Sequence, residues 1–176
     1  TAKVIRIQSI LLNEIHSRRG RLLKVAILFS FRRLENSSGG VPVHVYNLAK
    51  SLAERSGIEV SIISFGDSNH ETYLDGFRVV TIKRRRWQRY LPFIPLLRLS
   101  LAVRKENPDL LHVQGTFVSP YLIYALFLAP RKSPKIVTVH GYAVEEGISR
   151  GELRERSVKW HLVKWLERRT VDKFDK

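Results

Sequence analysis

The chain contains no cysteine and no methionine. Without thiols it can form no disulfide, no cysteine-ligated metal site and no thiol nucleophile, an absence that suits a reducing compartment. The missing methionine and the opening residue Thr1 lead to the expectation of a processed product or a piece of a longer protein. Acid is also scarce: 16 Asp+Glu stand against 31 Lys+Arg, a formal net charge of +15. A field of that sign attracts nucleic acid, anionic lipid and phosphorylated ligands. Long hydrophobic runs are lacking as well. The greasiest stretch, Phe117–Pro130, is too short to cross a bilayer and is interrupted by Pro120. Thr1–Gly20 mixes charged with apolar residues and lacks the unbroken apolar core of a targeting segment. The expectation is a soluble protein, cytoplasmic or peripheral on the inner membrane face.

What is present suffices for one domain. The 176 residues are 44% hydrophobic, enough to bury a core. Residues 1–23 read as an extension or linker and residues 24–176 as the domain. Lys24–Phe29 is a short apolar run, as expected of a strand covered on both faces. Val45, Leu48, Ala49, Leu52 and Ala53 keep the spacing of an amphipathic helix that Gly57 ends. Glu59–Ser64 and Phe77–Ile82 read as strands, the second entered through an Asp75-Gly76 turn. Ile94–Glu106 reads as a helix stopped by Asn107-Pro108, and Leu110–Val113 as a strand. Ser119-Pro120 opens an apolar helix closing near Ala129-Pro130, and Lys135–Val139 is the last strand. The tail places Val158, Leu162, Trp165 and Leu166 on one face of a final basic helix. Strands alternating with helices predict an α/β, Rossmann-like parallel sheet with helices on both faces.

In such sheets ligands bind beyond the carboxyl ends of the strands. Three loops should open on that edge, after Phe29, Val113 and Val139. The first carries Ser37-Ser38-Gly39-Gly40-Val41-Pro42-Val43-His44 and runs into a helix. Adjacent glycines admit a ligand close to the backbone, and a helix amino-terminus favours a phosphate or sugar oxygen; a tight turn would use the same glycines. The loop is neither a Walker A nor a GxGxxG sequence. The second offers Gln114, Gly115 and Thr116, and the third His140, Gly141 and Tyr142. A histidine just past a buried strand is placed to reach the cleft, although it can equally serve as a hydrogen-bonded structural residue. Paired carboxylates of the glycosidase kind are not evident, since Glu145-Glu146 falls at an ordinary loop–helix junction.

The run from Gly39 to Arg55, GGVPVHVYNLAKSLAER, together with Pro108–Gly115 and Val137–Gly141, resembles glycosyltransferase family four, a group of retaining GT-B enzymes. The segments share the family's order and spacing, and the resemblance covers the chain from Lys24 on. It implies one half of a GT-B architecture, the acceptor-side domain, and transfer of a hexose-type sugar from a nucleotide sugar to a glycan, lipid or small-molecule acceptor. It places Gly39 and Gly40, with Val41 and His44, beside the donor diphosphate. It places His140 near the reacting carbon as an orienting and charge-stabilising group, and Gln114, Gly115, Gly141 and Tyr142 on the acceptor side. No metal and no cofactor beyond the nucleotide sugar is implied. The family's Arg/Lys pair and Glu-x7-Glu motif belong to a carboxy-terminal domain absent from this chain, so the chain alone is expected to be inactive. Gln114 stands where the family often has a second histidine, a departure that bears on acceptor preference.

One further segment is strongly basic: Lys83, Arg84, Arg85, Arg86, Trp87, Arg89, Tyr90 and Phe93 interleave arginine with aromatics. They could meet a phosphate backbone or an anionic membrane, or simply form a solvated loop. A non-catalytic basic module binding nucleic acid or carbohydrate is therefore the rival function, although no nucleic-acid-binding module fits the order of elements.

Overall fold

The computed structural model describes residues 21–29, 40–84, 93–115, 120–129, 134–140, 148–149, 151 and 154–174. Their elements are β1 (Leu23–Leu28), α1 (Gly40–Ala53), β2 (Ile58–Gly66), β3 (His70–Leu74), β4 (Phe77–Lys83), α2 (Phe93–Glu106), β5 (Leu110–Gly115), α3 (Pro120–Phe127), β6 (Lys135–Val139) and α4 (Val158–Phe174). The six strands form one sheet in the order β3-β4-β2-β1-β5-β6. All neighbours are parallel except β3 and β4.

Period-two alternation sorts the core into two layers. Val25 and Ile27 of β1 pack with Val60 and Ile62 of β2 under Val45 and Ala49 of α1. Their neighbours Ala26, Leu28 and Ile63 point the other way, against Leu96, Leu99 and Val103 of α2 and Tyr121, Leu122 and Ala125 of α3. Helices thus cover both faces of a Rossmann-like sheet, as the alternation of elements predicts. Because five strands run parallel, their carboxyl ends share one edge, and the amino-terminus of α1 lies on it.

The structure differs from the sequence expectations at four places. β3 was not anticipated: it is an antiparallel edge strand, joined to β4 by a tight hairpin in which Asp75 and Gly76 both have positive φ, 43° and 86°. Asp-Gly is the pair that tolerates those angles. α1 starts at Gly40, so Val41 and His44, which the sequence alone groups with the first loop, lie in its first turns. Gln114 and Gly115 belong to β5 and not to a loop. On α4, Val158, Leu162 and Trp165 are exposed and Val163 is buried, with Trp165 stacked on Phe127 of α3; the Leu166 side chain lies outside the described ones. The stop of α2 is as expected: Asn107 takes the left-handed conformation, φ 46°, ahead of Pro108.

Gly66, at the end of β2, is required by a close approach. A Cβ there would lie 2.4 Å from the Cγ2 methyl of Thr81 on β4. Gly66→Ala should lower stability by about 1–3 kcal/mol in urea unfolding, the usual cost of overpacking. Adding Thr81→Ser, which removes only that methyl, should restore most of the loss; a double variant no better than the single would refute the clash.

Candidate functional site

The site grows out of the last turns of two neighbouring strands. On β5, Leu110, His112 and Gln114 alternate onto the α1 face, so a strand that begins apolar ends polar on that side. On β6, Thr138 is the register partner of Gln114. The chain leaves β6 at His140, whose N–H donates to the carbonyl of Gly115 at 3.3 Å.

Gln114 is fully buried, so both ends of its amide need partners. The amide nitrogen donates to His112 Nε2 at 2.9 Å, and the amide oxygen accepts from His140 Nε2 at 2.5 Å. An amide nitrogen can only donate and an amide oxygen can only accept. His112 therefore carries its proton on Nδ1, and His140 carries its own on Nε2. Thr138 Oγ1 lies 2.9 Å from the same His112 nitrogen and holds the ring from the β6 side. Beyond His140 comes His44 of α1, its ring edge-on with centroids 5.5 Å apart. Thr138, His112, Gln114, His140 and His44 thus form a continuous chain from the sheet to the exposed first turns of α1.

Burial favours the neutral form of His112 and of His140. Burial, with smaller contributions from His44 and His140, pulls the His112 pKa down from 6.5 to about 4. Burial and then the proximity of His44 also lower that of His140. Neutrality is what the geometry demands, because a protonated His112 would present an N–H to an amide N–H.

α1 supplies the other wall. No acidic residue occupies its first turn, so no carboxylate of the helix itself competes for its amino-terminal N–H groups. A Cβ built on Gly40 meets no atom within 4 Å, which leaves open space among the described residues in front of the helix. An anion or sugar oxygen could be held there.

His140, His44 and Gln114 are therefore brought together, with Gly115 adjacent and Gly40 and Val41 at the near end of α1. Arg84 sits on the same edge but elsewhere: its N–H donates to Gly66 O at 2.8 Å and its guanidinium lies 5.8 Å from the Phe65 ring centroid. β4 and β6 are separated by four strand spacings, about 19 Å. Gly39, Gly141, Tyr142, Arg85, Arg86, Trp87 and Arg89 lie outside the described residues. Among the described residues no three His, Asp or Glu side chains converge to hold a metal ion. His112 and Thr138 were missed as site residues by sequence reasoning. The available signal was a polar pair at spacing two, His112 and Gln114, closing an otherwise apolar strand.

A family model described as Glycosyltransferase Family 4 matches residues 38–176. Sucrose-phosphate synthase from Thermosynechococcus elongatus is similar in fold, with a TM-score of 0.58 and 16% identity over 81% of this chain and 39% of that one. The chain thus spans well under half the length of that structure. No curated protein matches in sequence.

The His112 shift has a consequence for stability. Between pH 6.5 and about 4 the unfolded chain binds a proton at His112 that the folded chain does not. Stability present above pH 6.5 should therefore fall as pH drops through this window, by at most about 3 kcal/mol from this group. Thermal midpoints recorded from pH 7.5 to 4 should show the decline, and His112→Asn should flatten it. An equal slope in the variant would assign the pH dependence to other groups.

Proposed function

Because the chain belongs to Glycosyltransferase Family 4, we propose that it forms the acceptor-side half of an enzyme moving a hexose-type sugar from a nucleotide sugar to an acceptor, with retention of configuration. The observation that carries this reading is the convergence of His140, held through Gln114, with His44 and the open amino-terminus of α1. In this reading the donor diphosphate lies against Gly40 and the first turn of α1, where the helix dipole and the first-turn N–H groups offset its charge without a metal. Gly39, which precedes Gly40 in the sequence, is assigned the same role.

His140 orients the donor sugar. Its Nε2 proton is committed to Gln114, so Nδ1 offers a lone pair to a sugar hydroxyl. A neutral ring matters here. The sugar carbon gains positive charge as the diphosphate leaves, and an imidazolium beside it would oppose the reaction. Gly115, with Gly141 and Tyr142, flanks the acceptor, which is a glycan, a lipid or a small molecule; Gln114, fully buried, acts on it only through His140. A second, carboxy-terminal domain holds the nucleotide and closes the cleft; the 39% of the sucrose-phosphate synthase chain that is covered leaves room for one.

The test is nucleotide release by the intact gene product from UDP-, GDP- and ADP-sugars, with soluble sugars and membrane lipids as acceptors. Acceptor-dependent release should fall about 100-fold or more in His140→Ala, the scale of losing one preorganised electrostatic contact. Gly40→Ala should slow release without moving the thermal midpoint, since its Cβ meets only the space assigned to the donor. The 176-residue chain alone should show no turnover. Absence of release from every donor, with tight salt-sensitive binding to nucleic acid instead, would replace this reading with that of a basic binding module.

A further inference from the structure

Beyond the site, α2 presents an outer face whose chemistry the sheet does not use. Its inner side is accounted for: Leu96, Leu99 and Val103 enter the core, and Glu106 is buried and bonded to Arg78 of β4. On the outer side Leu97 and Leu101, one turn apart, are 63% and 58% exposed. Around them stand Arg98, Arg104 and Lys105, all exposed, and Glu106 is the one acid of the helix. Lys83 and Arg84 continue the charge: Arg98 Nη1 donates to the carbonyl of Lys83 at 3.0 Å, which ties the end of β4 to the first turns of α2. No helix of the described residues is long and apolar enough to cross a membrane.

We propose that this face of α2, the Leu97–Leu101 ridge within a rim of Arg98, Arg104 and Lys105, seats the protein on the surface of an anionic lipid bilayer. The two leucines enter the boundary between headgroups and acyl chains while the basic rim meets lipid phosphates, an arrangement of apolar centre and cationic border that suits a membrane interface. Nucleic acid would reward the rim but leave the leucines against a charged backbone without benefit. A second copy would bring a like-charged rim against this one, in a chain whose formal net charge is already +15. The proposal does not depend on sugar transfer, since binding to lipid can be measured without it.

The experiment is co-sedimentation of the chain with vesicles of phosphatidylcholine alone and of equal parts phosphatidylcholine and phosphatidylglycerol, at low and high salt. Binding is expected to the anionic vesicles only, and to weaken in part with salt. The pair Leu97→Asp and Leu101→Asp should reduce it at least tenfold at either salt concentration while the thermal midpoint stays in place, because both side chains are exposed. Arg104→Gln with Lys105→Gln provides a second test that leaves the leucines intact: it should reduce low-salt binding several-fold. Anionic-vesicle binding that survives both pairs would overturn the proposal, because it would reflect only the overall positive charge. So would absence of vesicle binding, or preferential binding to a short DNA duplex that the leucine pair leaves unchanged. Concentration-dependent dimers abolished by the leucine pair would reassign the face to self-association.

Discussion

A buried amide must find partners for both of its ends, and at Gln114 both partners are imidazoles. The candidate site is organised by that requirement. β5 lies between β1 and β6, so its last residues are enclosed by strands on each side and by α1 above. An unsatisfied amide in such a place costs about 1–3 kcal/mol. His112 and His140 satisfy it from opposite directions, and in doing so their tautomers are set. The parallel register of β5 and β6 makes this possible, because Thr138 opposite Gln114 steadies His112 and the chain turns out of the sheet at His140. Cleft geometry here is therefore a consequence of sheet pairing.

The protein's charge and its neutral histidines work in one direction. A strongly cationic chain disfavours imidazolium and attracts a diphosphate. Burial of His112 and the mutual proximity of His44, His112 and His140 add to the first effect. A cleft in which His112 and His140 favour the neutral form can accept an anionic ligand and still present lone pairs to hydroxyl groups. The helix amino-terminus, free of carboxylates in its first turn, completes an environment in which positive potential comes from the backbone and from arginines elsewhere.

Much of the fold was legible because its physical causes are local. The apolar run from Lys24, the 3.6-residue stripe of Val45 to Ala53, and the Asn107-Pro108 stop each follow from side-chain periodicity or backbone sterics. β3 was not legible: its sequence His70-Glu71-Thr72-Tyr73-Leu74 lies on an exposed edge and has no apolar alternation, and only pairing with β4 makes it a strand. α4 misled for a related reason. Its apolar stripe is clear, but periodicity does not say how deeply a stripe is covered: Val158, Leu162 and Trp165 are exposed, and Val163 is buried among the described side chains. In the site, His140 could be placed by its position after a strand. The role of His112 could not, because it depends on a partner two residues on and on a ring 28 residues away in sequence, roughly the span of one βα unit. Gln114, read as a departure from a family pattern, proves to be the buried link between the histidines.

The most direct measurement is of the histidine tautomers, by long-range proton–nitrogen NMR on the chain with 15N-labelled histidine. At pH 7 His140 should be neutral with its proton on Nε2, and His112 neutral with its proton on Nδ1. Replacing Gln114 with Leu should release His140 into a tautomer mixture and leave the sheet intact. Finding His140 protonated on Nδ1, or a His140 signature unchanged by Gln114→Leu, would contradict the claim that the buried amide sets the geometry of the cleft.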